Sequence, residues 1–547
     1  MPKSKEAASL YNLCLESIKE SIFNGTVVAS GAKASAIEWG NDVCSNTCQH
    51  NLFHQLPTDV LEDIIKSLIP FSDLPFSAYS QYKILFKDFH KVWCITRKSI
   101  LKHLYTPKLK TLWILPFFDD FLKLLPHYEN LQVLHFSENV ANDIHLRTLG
   151  VCCKQLRVLD VSRSSHVTDT GIKWFCLGFE HRGTKYEGVA CKSIQSLYLK
   201  STKITKVGIL TCLRHLPVLR VLFHHSTFTV LAEIAKGLLD HNFPGRPSYS
   251  LSYLFVPKLS TYESASLELA ISLCPLLTQV GINLENGFTS KDIFCLTSLR
   301  MLRGLLFMKK DSLCSEPCRM TFDSGVAPVL KEIGCSLEYL EISVCNAYEF
   351  MGNNIIPTII EFCPNLISLV MENSYIKPGR RRRSSFINLA GSRPAPVKRG
   401  NNFGGRQILT ELQYLYLGWA PYDFSIPSND LLSLLSSPSL VDVRILSCRH
   451  LTDDVLLQAF KFHGFQNLTC LDLSLCYNFT SKGIDVFLED GNYLSRLYLC
   501  GCFKIFKQDI LDWLKVVKEK NWDLEIIDSC SSLPSNYWED IPPIVLV

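Results

Sequence analysis

The sequence is 547 residues long and 47% hydrophobic, with 56 lysines and arginines nearly balanced by 52 aspartates and glutamates for a net charge of +4. That balance excludes a general electrostatic affinity for nucleic acid or an anionic membrane. No apolar run reaches the roughly 18 residues of a spanning helix, and the start MPKSKEAAS leads into no hydrophobic signal core, so the expectation is a soluble protein of the cytoplasm, the nucleus or both.

The first predicted element lies in residues 1–24, a helix over 9–24 with Leu10, Leu13, Cys14 and Ile18 at helical spacing and Gly25 ending it. Residues 25–54 are rich in Gly, Ser, Ala and Asn and read as a flexible linker. Within it Cys44, Cys48, His50 and His54 form C-x3-C-x-H-x3-H, a weak zinc candidate. Its two pairs sit closer than in ordinary zinc motifs, whose pairs flank a longer loop, so no metal or other cofactor is expected. Residues 55–107 are helical and amphipathic. Their first stretch, LPTDVLEDIIKSLIP, carries Pro57 just ahead of a first turn that Thr58 or Asp59 can cap.

From residue 108 to 530 one pattern keeps returning. LQVLHFSEN begins at Leu131, LRVLDVSRS at Leu156, IQSLYLKST at Ile194 and LRVLFHHST at Leu219. LEYLEISVC follows at Leu337, LISLVMENS at Leu366, LVDVRILSC at Leu440, LTCLDLSLC at Leu468 and LSRLYLCGC at Leu494. The frame is L-x-x-L-x-L-x-x-N/C, mostly 25 to 29 residues apart, with VTDTGI, LTDDVL and FTSKGI each 11 residues after a start. This resembles the cysteine-containing leucine-rich repeat, which implies an α/β solenoid: a curved parallel sheet with helices on its convex side.

Most of the 22 cysteines fall into the same frame. Cys153, Cys191, Cys274 and Cys363 precede a start by three residues, and Cys345, Cys448, Cys476 and Cys502 follow one by eight. A thiol at such a corner packs as a compact hydrophobe, and Asn139 holds the corresponding place. Reduced structural thiols are therefore expected. Two insertions interrupt the array, a modest one at 178–190 and a basic, Gly/Pro-rich one at 377–407 that is expected to be disordered. The latter holds four arginines at 380–383 before Ser384 and Ser385, a candidate phosphorylation site. Residues 531–547 are expected to cap the last repeat.

Ser9, Leu10, Cys14 and Ile18 match S-L-x-x-x-C-x-x-x-I, and the segment resembles the BC-box through which substrate receptors bind elongin C. Four-residue spacing places Leu10, Cys14 and Ile18 on one helical face, the form used in helix-in-groove docking. Leu56, Pro57, Val60, Leu61 and Ile64 resemble a cullin-2 box. A cullin-5 box would carry a second proline where Asp59 stands. With the repeats behind them, the two motifs resemble the Zyg/Zer substrate receptors of cullin-2 ubiquitin ligases, without that family's armadillo-like repeats. The resemblance implies elongin C, elongin B and cullin-2 as partners. The same Leu56-Pro57 stretch, closed by Trp93, also resembles an F-box, which implies the adaptor Skp and cullin-1. A leucine-rich-repeat scaffold with no ligase link is the remaining alternative.

In the repeat frame, positions 1, 4 and 6 point into the core and positions 3 and 5 toward the concave side, because strand side chains alternate. Tyr198, Phe223, Tyr414, Tyr416, Arg444, Asp472, Arg496 and Tyr498 are the candidate target-binding surface, rich in the aromatic and arginine anchors of protein interfaces. No catalytic motif is present. GTVVASGAK at 25–33 has only a faint likeness to a phosphate loop, and G-x-S-x-G and H-E-x-x-H are missing. No enzyme activity is expected.

Overall fold

In the computed structural model the described residues run from 109 to 528, without 115–121, 123–124, 182–183, 187, 189, 241–246, 259–261, 285–287, 310–319, 345–349, 351–353, 373–401, 404–405, 419–425 and 489–492. Outside them lie the BC-box-like and cullin-box-like segments, the Cys44, Cys48, His50 and His54 cluster, Cys345, Ser384, Ser385 and the tail from 529.

Five parallel strands form one sheet in chain order: β1 (Thr111–Ile114), β2 (Val133–Phe136), β3 (Val158–Asp160), β4 (Ser196–Tyr198) and β5 (Val221–Phe223). Ten form a second, also in chain order. They are β6 (Tyr253–Val256), β7 (Gln279–Asn283), β8 (Gly304–Lys309), β9 (Tyr339–Val344), β10 (Ser368–Glu372), β11 (Tyr414–Gly418), β12 (Asp442–Leu446), β13 (Cys470–Asp472), β14 (Arg496–Tyr498) and β15 (Glu525–Ile527). The chain divides into two compact units, the first running to Val230 with a short return at Tyr249–Leu251, the second comprising the rest from Leu231 on.

Pairing is in register with the repeat frame. Position 4 aligns as Leu112, Leu134, Leu159, Leu197 and Leu222 in the first sheet. In the second it aligns from Leu254 through Val280, Leu305, Leu340, Leu369, Leu415, Val443 and Leu471 to Leu497. None of these side chains is more than 2% exposed. Each stabilises the fold by about 1.5–3 kcal/mol relative to an exposed position, but only because the neighbouring repeat supplies the other wall. Three repeats that a strict leucine frame misses are β6, β7 and β8, where Val256, Val280, Ile282 and Phe307 take core places. Burial needs an apolar side chain of suitable volume rather than leucine.

The second repeating signal is a capping relay. In the first unit, helices α1 (Asp143–Cys152), α2 (Asp169–Leu177) and α3 (Lys206–His215) follow β2, β3 and β4. Thr168 and Thr205 cap the last two, each accepting a hydrogen bond from a first-turn N–H. The Asp143 carboxylate accepts from Thr168 N–H at 2.7 Å and its hydroxyl at 2.6 Å, and Asp169 does the same for Thr205 at 2.8 and 2.5 Å. Each aspartate thus fixes the cap of the next repeat. In the second unit the N–H and hydroxyl of Thr480, the cap of a helix at Ser481–Asp485, each donate at 2.8 Å to Asp453. Asp453→Ala removes two charge-assisted bonds, and a loss of about 2 kcal/mol is expected in chemical unfolding. Asp454→Ala, one residue along and without a contact to Thr480, serves as the control.

The corners after the strands account for the cysteines. Arg163, Ser201, Ser447, Leu475 and Gly501, at position 8, have φ of 61°, 57°, 58°, 61° and 71°. The residue that follows bonds into the adjoining turn. Cys448 N–H donates to Cys476 Sγ at 3.3 Å, Cys476 Sγ to Ile445 O at 3.2 Å and Cys502 Sγ to Leu473 O at 3.2 Å. Asn139 Oδ1 accepts from Ser165 N–H at 3.2 Å in the same manner. Cys153, Cys274 and Cys363 are buried, and burial pushes each thiol up to about 12. These are structural thiols with little nucleophilic thiolate.

The expectation of disorder across 377–407 needs correction at its end. Asn402–Phe403 and Arg406–Gln407 pair antiparallel, Asn402 with Gln407 and Phe403 with Arg406. In the smaller insertion Phe179–His181 pairs antiparallel with Thr184–Tyr186.

Candidate functional site

The residues chosen from positions 3 and 5 do share one face of their sheets, opposite the position-4 leucines. In the first sheet Asp160, Tyr198 and Phe223 align on successive strands, with His135 before them. In the second, Val370, Tyr416, Arg444, Asp472, Tyr498 and Ile527 align. Tyr414, Asp442, Cys470 and Arg496 form the parallel row at position 3. The candidate set therefore falls into two separate groups, Tyr198 with Phe223 and the remainder.

The two groups differ in exposure. Tyr198 and Phe223 are half-buried, their rings 6.2 Å apart, and the side chains of His135 and Asp160 remain 30% and 22% exposed. Burial opposes ionisation of Asp160, but hydrogen bonds and charge from His135, with Ser162, hold its carboxyl below the usual range. In the second sheet the expected open surface is closed. Tyr416 is 5%, Arg444 3%, Asp472 0% and Tyr498 2% exposed, while Tyr414 and Arg496 are half-buried. Alternation puts these side chains on the face opposite the position-4 residues. Whether that face is covered depends on chain that the repeat frame does not describe.

The centre of this face is electrostatic. Arg444 Nε and a terminal guanidinium nitrogen each donate to Asp442 at 2.9 Å, a two-pronged pair. Burial opposes the guanidinium charge, but Asp442 more than offsets it and holds Arg444 above its ordinary value. Asp472, on the next strand, accepts at Oδ1 from Ser474 N–H at 2.9 Å and Ser474 Oγ at 2.6 Å, and its Oδ2 is buried without a hydrogen-bond partner. Burial lifts the Asp472 carboxyl to about 7, with Ser474 and Arg444 acting in the opposite direction. Paired charge and aromatic rings thus lie side by side in a buried layer on this face. No nucleophile–base pair is assembled here.

Tyr339 and Glu341, at positions 3 and 5 of β9, hydrogen-bond each other. Sequence reasoning missed other residues of this sheet: Ser343 Oγ donates to Glu372 of the next strand at 2.8 Å. Further along, Gly281 and Gly304 occupy positions 5 and 3, leaving a shallow depression lined by Tyr253, Gln279, Leu306 and Tyr339. A Cβ on Gly281 would lie 2.7 Å from the Phe255 ring, so glycine there lets neighbouring side chains cross the strand. The signal was available as glycine inside a strand frame, which marks close approach.

No protein-family model matches the chain, and no curated protein matches it. Among solved structures, a Rad7 and Elc1 complex from yeast matches at 16% identity, covering 83% of this chain and 96% of that one with a TM-score of 0.46. A TLR13–ssRNA13 complex matches at 14% identity over 78% of this chain and 62% of that one, with a TM-score of 0.30. The leucine-rich-repeat fold rests on the strand order, the register and the capping relay themselves.

Proposed function

We propose that this chain is the substrate-recognition subunit of a cullin-2–elongin ubiquitin ligase, holding a protein target on its repeats while recruited subunits perform ubiquitin transfer. The observation that carries the reading is the order of parts: the BC-box-like residues 9–18, the Leu56-Pro57 segment, and then repeats whose strands align aromatic and arginine side chains on one face. In this assignment Leu10, Leu13, Cys14 and Ile18 dock elongin C, with elongin B behind it, and Leu56, Pro57, Val60, Leu61 and Ile64 touch cullin-2. The chain itself catalyses nothing and acts in the cytoplasm or nucleus. Tyr198, Phe223, Tyr414 and Arg496, being half-buried, are the target contacts more open than Tyr416, Arg444, Asp472 and Tyr498.

The test is capture of tagged full-length protein from cells, scoring elongin C against the Skp adaptor, beside a Leu10→Ser/Cys14→Ser variant. The expected result is elongin C recovered with the wild type and reduced at least about tenfold with the variant, as removal of anchor side chains at a helix-in-groove contact requires. Skp recovered instead, and indifferent to the variant, would replace cullin-2 by cullin-1 and make residues 55–107 an F-box. Recovery of neither would leave a scaffold without a ligase.

A further inference from the structure

The repeat that starts at Leu494 departs from its own template at an exposed corner. Eleven residues after the starts Leu440, Leu468 and Leu494 stand LTDDVL, FTSKGI and IFKQDI. In the first two, Thr452 and Thr480 take the helix N-cap and are followed by Asp453 and Ser481. In the third, Phe506 takes the N-cap, and Lys507 opens the helix Lys507–Glu519. Neither helps the helix. Phenylalanine has no oxygen to accept a first-turn N–H, and a cation at a helix N-terminus faces the positive end of the dipole. Phe506 is 68% exposed, and Phe503, three residues earlier, is 77% exposed. A repeat that breaks two local rules where its rings stay at the surface marks a place used for something other than folding.

The same corner runs on through three repeats. Arg449, Tyr477 and Phe503 hold position 10, and His450, Asn478 and Lys504 hold position 11. Neighbouring corners touch. The rings of Tyr477 and Phe503 stack 5.3 Å apart at 15°, Asn478 Nδ2 donates to Arg449 O at 2.7 Å, and Lys504 Nζ donates to Asn478 Oδ1 at 3.5 Å. With strands about 4.8 Å apart the ridge is about 10 Å long, the reach of three or four extended residues. Arg449, Lys504 and Lys507 are exposed cations along it. The first turns of the three helices hold three acids, and two of these are engaged in caps. Asp453 accepts from Thr480 and Asp509 from the Phe506 N–H at 2.8 Å, which leaves Asp454.

We propose that this ridge docks an acidic peptide segment of a partner protein. Its carboxylates meet Arg449, Lys504 and Lys507, and an aromatic or aliphatic side chain among them packs on Phe503 and Phe506. Charge complementarity selects this occupant. Exposed rings alone would accept any hydrophobic surface, whereas cations beside them favour an anion and reject a basic one. Peptide is favoured over nucleic acid because the cations are few and a net charge of +4 supplies no wider basic field. The ridge follows the strands rather than lying on their candidate face, and it involves no adaptor, so the inference does not rest on the proposed ligase role.

The test uses full-length protein and three sets of short arrayed peptides. One set carries Asp and Glu around a central Phe, Trp or Leu, the second replaces the acids by Lys and Arg, and the third keeps the acids with Ser at the centre. Two variants report on the ridge, Phe503→Ser/Phe506→Thr and Lys504→Glu/Lys507→Glu. Threonine at the N-cap restores the chemistry of the preceding repeats, and glutamate suits a helix N-terminus, so urea midpoints close to or above the wild type are expected for both. Wild type should be retained on the acidic aromatic or aliphatic set at least about tenfold better than on the other two, and each variant should lose at least about tenfold on that set. Adaptor capture should be the same for all three proteins, which separates this inference from the proposed function. Equal retention on acidic and basic sets, or retention indifferent to both variants, would overturn the inference. So would an acidic set that retains nothing, or a single-stranded oligo-dT probe bound more tightly than any acidic peptide.

Discussion

Replacing Arg444 by alanine is expected to destabilise the second unit by about 3–5 kcal/mol, the range for breaking a buried ion pair from one side. The guanidinium is 3% exposed and donates twice to Asp442, with Asp472 fully buried on the following strand. Its removal leaves two carboxylates in a low-dielectric layer with no cation between them, and that desolvation penalty exceeds what the lost methylene packing would produce. Arg444→Met separates the two causes. Methionine restores most of the volume and none of the charge, so a similar loss is expected for both variants. The pH dependence has a definite sign. Burial already lifts the Asp472 carboxyl to about 7 and Arg444 opposes that rise, so without the guanidinium Asp472 takes up its proton more readily in the native state and the deficit shrinks as pH falls. Urea midpoints at pH 8 and pH 5 measure this, with the larger loss at pH 8. A loss below about 1 kcal/mol at both pH values would mean that the pair is solvated and worth no more than a surface bridge.

The core was legible because its physics is local and periodic. L-x-x-L-x-L fixes which side chains face the helices, and Leu134, Leu340 and Leu471 are buried as that spacing requires. β6 to β8 escaped a strict frame because Val280 and Phe307 satisfy the same cavity as leucine. The capping relay was half-legible. The Thr-Asp pair reads as a helix start, but the reason for the glycine two places later lies a repeat away. A Cβ on Gly171, Gly208 or Gly483 would sit 2.4, 2.3 or 2.6 Å from an oxygen of Asp143, Asp169 or Asp453 in the preceding repeat. LTDDVL carries Val455 at that place, and the helix before it begins with Ser428, so no aspartate claims the space. Alternation puts the candidate residues on one face, but the burial of Tyr416, Arg444, Asp472 and Tyr498 there is not written in the strand pattern. Position in a strand says where Tyr416 and Tyr498 point, and nothing about what lies over them.

Asp472→Asn is expected to stabilise the second unit by about 2 kcal/mol at pH 8 and by much less at pH 5. The carboxyl is fully buried and its pKa stands near 7, driven up by burial against the pull of Ser474 and Arg444. An acid whose folded pKa lies above its unfolded value of about 3.9 binds a proton in the native state that the unfolded chain releases. Stability therefore falls as pH rises from about 4 to 7, and the whole penalty is present above 7. Asparagine keeps an acceptor for Ser474 N–H and Oγ, at 2.9 and 2.6 Å from the present Oδ1, and cannot ionise. Part of the gain is lost because Arg444 no longer has an anion beside it on β13, which holds the expected value below the full three-unit shift. Thermal midpoints of wild type and variant from pH 5 to 8 decide the matter. Curves that diverge with rising pH, the variant higher, mean that burial dominates at Asp472. A variant that becomes the less stable of the two toward pH 8 would mean that the attraction to Arg444 dominates, and Asp472 would then be a working member of the charge cluster on this face.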